Sequence, residues 1–527
     1  MKRGPLPEET APGLFQALSL LLVAGRERSV ATLLERGISP LSDSTIIDLL
    51  RARGDAGQLA QSGVFFEWLD RQPALRRDVL HDAVWDAIDE AAQGSIIDPG
   101  LAGRLMQQRP PSLPSRPDTA AVDLCYVLAM SLPQDSSGYA QRSHSLIPAW
   151  TAHGLHIHCL TIPGFPWHRG KAGERGGDQV GSVSYDRCGD ETHAIPSDLA
   201  SVRASASELA NRLMLVRPKA VMAASDFGAA LPALLAARWL GLPFIYDVRG
   251  FWEHSRAAGD PRWGSSAEFG RSVAIETFVA SQADLVLTLN EPMRSELVRR
   301  GVRQERVALA PNAADPHRFV PRPRNAALAA QLGIGPSEIV IGYIGSFSRY
   351  EGLDDLIMAA AKLAERSSSF RVLIVGSDHQ AGSPEVARLR AMVEEHGLSG
   401  RVTLPGRVPA ETVSDWYSLI DIAPIPRKSC TVTQLVSPLK PLEAMAMGKV
   451  VVVPDLPALT DIVSHDRTGI VYGSRQPDGL ANALGSLLDD PDQLKGLGQH
   501  ARDWVVQERN WQTCTQASAD AIRALIG

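Results

Sequence analysis

The segment richest in potential chemistry is Ser437-Pro438-Leu439-Lys440-Pro441-Leu442-Glu443-Ala444-Met445-Ala446-Met447-Gly448. Its prolines suit a helix start and Gly448 suits a helix stop. Lys440 and Glu443 are three residues apart and would share a helical face. A lysine in a first turn works against the helix dipole, and an anionic ligand held there would explain it. The bland alternative is a Lys–Glu surface pair. Only eight of the 53 basic residues are lysine, which makes Lys440 more informative than a lysine would ordinarily be.

Three further stretches carry suggestive types and spacings. Gly342-Tyr343-Ile344-Gly345-Ser346-Phe347-Ser348-Arg349-Tyr350-Glu351-Gly352 follows an apolar run and precedes an amphipathic one. Glycines at such a strand end suit a diphosphate, with Arg349 as counter-charge, or else form a simple turn capped by Glu351. Tyr246-Asp247-Val248-Arg249-Gly250-Phe251-Trp252-Glu253-His254 closes another strand-like run. There Asp247, Arg249 and Glu253 supply charge and Trp252 a stacking face for a sugar; the alternative is an interior ion pair of Arg249 with a carboxylate. Pro133-Gln134-Asp135-Ser136-Ser137-Gly138-Tyr139 offers Ser and Gly for close backbone approach to an anion, or is a plain strand–helix turn. Neither a GxGxxG fingerprint at that position nor a GxxxxGK[ST] anywhere is found. Asp354-Asp355 and Asp489-Asp490 read as helix-surface carboxylates, so no metal is expected.

These residues need a scaffold. Strand-like runs at 122–130, 156–161, 220–224, 244–248, 285–289 and 307–310 alternate with helical patterns at 200–216, 229–240, 274–282 and 293–300. A second series places strands at 339–344, 370–375, 402–404, 422–425 and 450–453, with helices at 353–365, 386–395, 413–419 and 439–447. Such alternation predicts two α/β parallel sheets with right-handed crossovers, joined near Phe319–Pro323 and facing each other across a cleft. Residues 1–108 read as all-helical, and 109–118, with four prolines, as a stiff linker. The expected domains are therefore 1–108, 119–320 and 321–504, with C-terminal helices at 505–527 packing back on the first sheet domain.

The 527 residues, 44% apolar and 21% charged, suit a multidomain globular protein and exclude dominant disorder. A net charge of −6 argues against a nucleic-acid binder. Five cysteines without CxxC spacing argue against a disulfide scaffold or zinc finger and fit a reducing compartment. The apolar run 18–25 is too short to span a bilayer, and a cytoplasmic location is expected.

From about residue 120 onward the sequence resembles the retaining glycosyltransferases of family 4, which have the GT-B fold. The resemblance rests on the VRGFWE, GSFSRYEGLD and SPLKPLEAMAMGK segments and on Pro311-Asn312-Ala313-Ala314-Asp315, similar to the family's Pro-Asn-Gly-x-Asp. Within the family it looks most like enzymes of bacterial surface-polysaccharide assembly. The resemblance implies that Glu443, matching the second glutamate of an E-x7-E motif, holds the donor ribose, and that Lys440 meets the diphosphate. It assigns Gly345 and Ser346 to the diphosphate loop, and Gly406, Arg407 and Val408 to the nucleobase. Ser137 and Gly138 would lie near the reaction centre. The sequence departs from the pattern at Leu435, where the first glutamate would fall, and at Ser346 and Glu351, where Arg and Lys are common. Arg249 stands where a cleft histidine is frequent. Arg349, Arg427, Lys428 and Lys440 remain as diphosphate partners.

The resulting expectation is a retaining transferase with Arg249, Arg349, Lys440 and Glu443 as catalytic candidates and Asp247, Trp252 and Glu253 on the acceptor side. It would use a UDP- or GDP-linked sugar, no metal and no other cofactor, and a saccharide or lipid-linked acceptor. Peripheral contact with the inner membrane face and self-association through 1–108 stay open. The alternatives are a catalytically inactive glycan-binding or scaffold protein, motivated by Leu435, and a nucleotide-sugar epimerase.

Overall fold

The computed structural model describes residues 97–107, 120–171, 176–193, 198–366, 369–378 and 384–527. The first sheet contains β1 (Val122–Leu128), β2 (Ile157–Thr161), β3 (Asp178–Val180), β4 (Val183–Asp186), β5 (Pro218–Ala224), β6 (Phe244–Val248), β7 (Leu285–Thr288) and β8 (Val307–Leu309). Their order is β3-β4-β2-β1-β5-β6-β7-β8. Every pairing is parallel except β3 with β4. The second sheet contains β9 (Ile339–Ile344), β10 (Phe370–Val375), β11 (Val402–Gly406), β12 (Ile422–Pro424), β13 (Val450–Pro454) and β14 (Gly469–Tyr472). It is parallel throughout, in the order β11-β10-β9-β12-β13-β14.

Helices on both faces explain the continuous apolar strands: β6 and β13 are buried at every position. Local signals set the helix starts. Asp198 and Ser201 form a reciprocal capping box ahead of Leu199–Val216, and Asp226 accepts from the Gly228 N–H at 2.9 Å to open Phe227–Trp239. The reversal between β3 and β4 had no sequence forecast. Those strands are short and polar (Asp178, Gln179, Ser184) and present no apolar run.

Both ends of the described chain pack on the first sheet domain. Residues 1–96 and the proline-rich 109–118 lie outside the described residues. The helix Pro99–Gln107, expected within a separate 1–108 region, packs instead against the first domain. Ile97, Ala102 and Leu105 join its core, and the Trp239 indole donates to the Leu105 carbonyl at 3.2 Å. The boundary at 108 is thus corrected for this helix, whose apolar face is buried by the helix ending at Trp239. At the other end, Trp511–Ile526 packs on Gly138–Ala152 and β8. There the Trp150 indole donates to Ser518 Oγ at 2.9 Å, and the Arg142 guanidinium lies 5.7 Å from the Trp511 ring centroid.

The segment 435–439 joins the two sheet domains. Leu435 and Val436 pack against one apolar cluster of the first domain and Leu439 against the other. Asn290 Nδ2 donates to the Leu435 carbonyl at 2.9 Å and to Ser437 Oγ, and Asn312 Nδ2 donates to the Ser437 carbonyl at 2.7 Å. Asn312 is held in turn by Arg142 at 2.7 Å. No helix among the described residues is long and apolar enough to cross a membrane.

Candidate functional site

The second domain gathers charge at the C-terminal end of β9, where open α/β sheets bind ligands. Gly345, one residue past β9, is fixed by its N–H to the Val375 carbonyl at 2.9 Å. A methyl group there would lie 2.1 Å from Lys440 Cε, so the glycine leaves a passage for the Lys440 stem. Lys440 opens the short helix Lys440–Ala446 and passes 5.4 Å from the Tyr343 ring centroid. Its ammonium ends 3.1 Å from Glu351 Oε1.

Glu351 is 2% exposed and is the hub of this corner. Arg427 donates to it through Nη2 at 2.9 Å, and the Tyr343 hydroxyl donates at 3.1 Å. Burial alone would raise this carboxyl, but Arg427 and Lys440 overcome it and hold it at about 2. Burial and the Arg427 charge push Lys440 below the usual lysine range, while Glu351 opposes them. Glu443, a turn along the helix, is half-buried. Burial raises its carboxyl above the usual range; Arg318, Lys440 and a hydrogen bond from the Tyr417 hydroxyl act against this.

The four cations named from the sequence are not equivalent. Arg427 is spent on Glu351 and on the Val436 carbonyl at 3.0 Å. Lys428 is tied to Asp354 at 2.7 Å and Asp355 at 3.6 Å. Arg349 is 68% exposed and faces Glu385 at 3.9 Å. Lys440, with three N–H groups, meets one carboxylate, Glu351, among the described residues. Ser346 is exposed beside it. Gly406 ends β11 at φ +93° and its carbonyl accepts from the Gly376 N–H at 2.9 Å. That bond anchors the turn bearing exposed Arg407 and half-buried Val408.

Across the cleft, Gly138 and Gly250 approach the segment leading to Lys440. An added methyl at Gly138 would lie 3.9 Å from Leu439 Cδ1, and one at Gly250 would lie 3.9 Å from Val436. Ser137 caps the helix that begins at Gly138. These two glycines bring the first domain's backbone against the segment just before Lys440.

The charged cluster after β6 is turned inward, which corrects three expectations. Arg249 donates to Asp247 at 2.7 Å, to the Tyr139 carbonyl at 2.9 Å, to Ser143 Oγ at 2.8 Å and to the Tyr126 hydroxyl. It is a buried brace, not a cleft cation. Asp247 has no exposed surface and is shared by Arg249, Tyr126 and, at 3.9 Å, Arg142. Glu253 is buried against Arg300 at 2.7 Å. Trp252 alone of this group is exposed, on the short helix Trp252–Gly259 that packs against the turn Arg349–Glu351. Sequence reasoning did not foresee the hub role of Glu351 or the placement of Tyr343; the short Glu351-Gly352 pair after a β-end was the available signal.

Comparison with known proteins agrees with this fold. A family model described as glycosyl transferases group 1 matches residues 325–504, and one described as a glycosyl transferase 4-like domain matches residues 137–313. The chain belongs to this family of glycosyltransferases and has the GT-B fold. It is 31% identical over 248 residues to the D-inositol 3-phosphate glycosyltransferase of Nocardia farcinica, covering 46% of this chain and 52% of that protein. It is 28% identical over 303 residues to the GDP-mannose-dependent alpha-(1-6)-phosphatidylinositol monomannoside mannosyltransferase of Mycobacterium tuberculosis, covering 56% and 74%. The chain spans about half the length of the first of these relatives. In structure it matches Anabaena HepE in complex with UDP, with TM-score 0.59 and 15% identity over 76% of this chain and 100% of that one. Sucrose-phosphate synthase from Thermosynechococcus elongatus matches with TM-score 0.58 and 20% identity over 76% and 99%.

Proposed function

We propose that the chain transfers a sugar from a nucleoside diphosphate sugar to a hydroxyl group of a saccharide or lipid-linked acceptor. The observation carrying this reading is Lys440: a partly desolvated ammonium, threaded past Gly345, whose three N–H groups meet one carboxylate among the described residues and whose neighbour Leu439 lies against Gly138 of the first domain. A leaving diphosphate needs such a cation to stabilise its developing charge. Glu443, one turn away, suits the ribose hydroxyls as acceptor. Gly406–Val408 would receive the base through the backbone, and Trp252 and Ser137–Gly138 lie on the acceptor side. Retention of configuration, a role in surface-polysaccharide synthesis and independence from metal are part of the proposal. The named relatives use a GDP-linked mannose or act on inositol 3-phosphate by their descriptions, and HepE was captured with UDP, so UDP and GDP sugars are the donors to test.

The decisive assay offers UDP- and GDP-linked sugars to the full chain and measures release of the nucleoside diphosphate, with and without a saccharide acceptor. Release of UDP or GDP, lost in Lys440→Met, supports transfer. Binding without release supports the glycan-binding or scaffold reading that Leu435 raises, and recovery of a rearranged nucleotide sugar would make the chain an epimerase.

A further inference from the structure

We propose that Glu351 is a positioning residue that holds Lys440 in the one arrangement able to meet the donor diphosphate, with Arg427 as the brace that holds Glu351. This rests on the function proposed above. The geometry is specific. Glu351 Oε1 takes both Lys440 Nζ at 3.1 Å and Arg427 Nη2 at 2.9 Å. Its Oε2 takes the Tyr343 hydroxyl at 3.1 Å. The backbone is locked as well: the Lys428 N–H donates to the Tyr350 carbonyl at 2.9 Å, and a methyl on Gly352 would lie 1.9 Å from the Pro426 carbonyl oxygen. The carboxylate therefore cannot drift from its two cations.

The charge count explains the division of labour. Glu351, Arg427 and Lys440 together carry one net positive charge. Arg427 has spent its fork on Glu351 and Val436, so the surplus charge is presented by Lys440. A flexible lysine stem would otherwise sample many rotamers, and a carboxylate anchor removes that freedom before the ligand arrives. Glu351 also works against loss of the Lys440 proton, which burial favours. The other charges facing Lys440 are Arg427, which favours proton loss, and Glu443, which opposes it. Glu351 itself stays ionised down to about pH 2, so its anchoring persists across the working range.

The test titrates UDP, GDP, uridine and guanosine into the full chain and into Glu351→Gln, Lys440→Met and the double variant, between pH 6 and 10. Glu351→Gln should weaken the bound diphosphate about tenfold at neutral pH while leaving the nucleoside unchanged. Its alkaline loss of diphosphate binding should move to lower pH than in the parent, because Lys440 then loses its proton earlier. In the Lys440→Met background, Glu351→Gln should add nothing, whereas with Lys440 present Glu351→Asp should bind diphosphate more tightly than Glu351→Gln does. If Glu351→Gln binds diphosphate like the parent with the same pH limb, the proposal is overturned. Equal weakening of nucleoside and diphosphate would also overturn it, since that reports general damage. If the parent binds neither UDP nor GDP, the proposed function fails first, an outcome distinct from a parent that binds while the variant is silent. Should Glu351→Gln not fold, Glu351→Asp, which keeps the charge but is one methylene shorter, should still weaken the diphosphate while sparing the nucleoside, and parent-like diphosphate binding by it would overturn the proposal.

Discussion

Gly345→Ala separates the fold of the β9 loop from its use. The new methyl would sit 2.1 Å from Lys440 Cε, 3.0 Å from Cδ and 3.1 Å from the Tyr343 hydroxyl. Reaching an ordinary carbon–carbon separation of roughly 3.5 Å requires the lysine stem to retreat by about 1.4 Å or more. The atom in the way is the far end of a flexible side chain, so the backbone need not move. Glu351 keeps Arg427 and Tyr343, and the alanine gains ~0.4–1 kcal/mol by restricting the unfolded chain, so stability should change by less than ~1.5 kcal/mol. The Lys440–Glu351 contact at 3.1 Å cannot survive that retreat. Losing one charge-assisted hydrogen bond to the ligand costs ~1.5–3 kcal/mol, about ten- to a hundredfold in UDP or GDP affinity. Denaturant unfolding and calorimetric titration of nucleoside and diphosphate read the two effects separately. Parent-like diphosphate binding would refute the reasoning. So would equal weakening of the nucleoside, because it would mean that the loop deformed rather than the lysine moved. Gly352→Ala is the contrasting control. Its methyl would strike a backbone oxygen at 1.9 Å from a φ of +71°, and stability itself should fall by more than ~2 kcal/mol.

Three further outcomes follow from the same geometry. Arg249→Met leaves Asp247 buried without its nearest cation and should lower unfolding stability by about 3 kcal/mol or more, while diphosphate affinity of the folded protein stays at the parent value; a selective loss of affinity would return Arg249 to the cleft. Glu276 accepts from the Tyr246 hydroxyl and from the Phe227 N–H at 2.8 Å, and burial, with Glu253 and Asp226 nearby, pushes it up to about 8. Because the folded state holds this proton more tightly than the unfolded one, stability should fall as pH rises from about 4.5 to about 8, and Glu276→Gln should flatten that slope; an unchanged slope contradicts the assignment. Sugar transfer should persist in chelator because Lys440 supplies the charge at the diphosphate, and activity that vanishes and returns with magnesium or manganese would contradict it.

The sheet domains were legible because parallel strands covered on both faces must be continuous apolar runs, as at 244–248 and 450–453. The Lys440–Glu443 helix was legible from its prolines and three-residue spacing. What could not be read was direction. Asp247, Arg249 and Glu253 crowd a strand end in sequence, yet their partners Tyr126, Tyr139, Ser143 and Arg300 come from distant segments that close around them. Glycine at 345 signalled a ligand loop, but the reason for it is a lysine 95 residues later, whose path only the packed structure defines. Leu435, which looked like a missing acid, is an apolar contact between the domains, with its carbonyl held by Asn290. The same join fixes where Lys440 begins.

The most direct test of a donor site split between Lys440 and Glu443 is calorimetry of nucleoside, monophosphate and diphosphate, in the uridine and guanosine series, on the parent, Lys440→Met and Glu443→Gln. Glu443→Gln should weaken all three ligands of the preferred base by about ten- to a hundredfold, the loss of a charge-assisted contact to the ribose. Lys440→Met should spare the nucleoside and weaken the diphosphate by a similar factor. Folded variants that bind all three ligands as the parent does would contradict the account and remove the donor from this corner of the cleft.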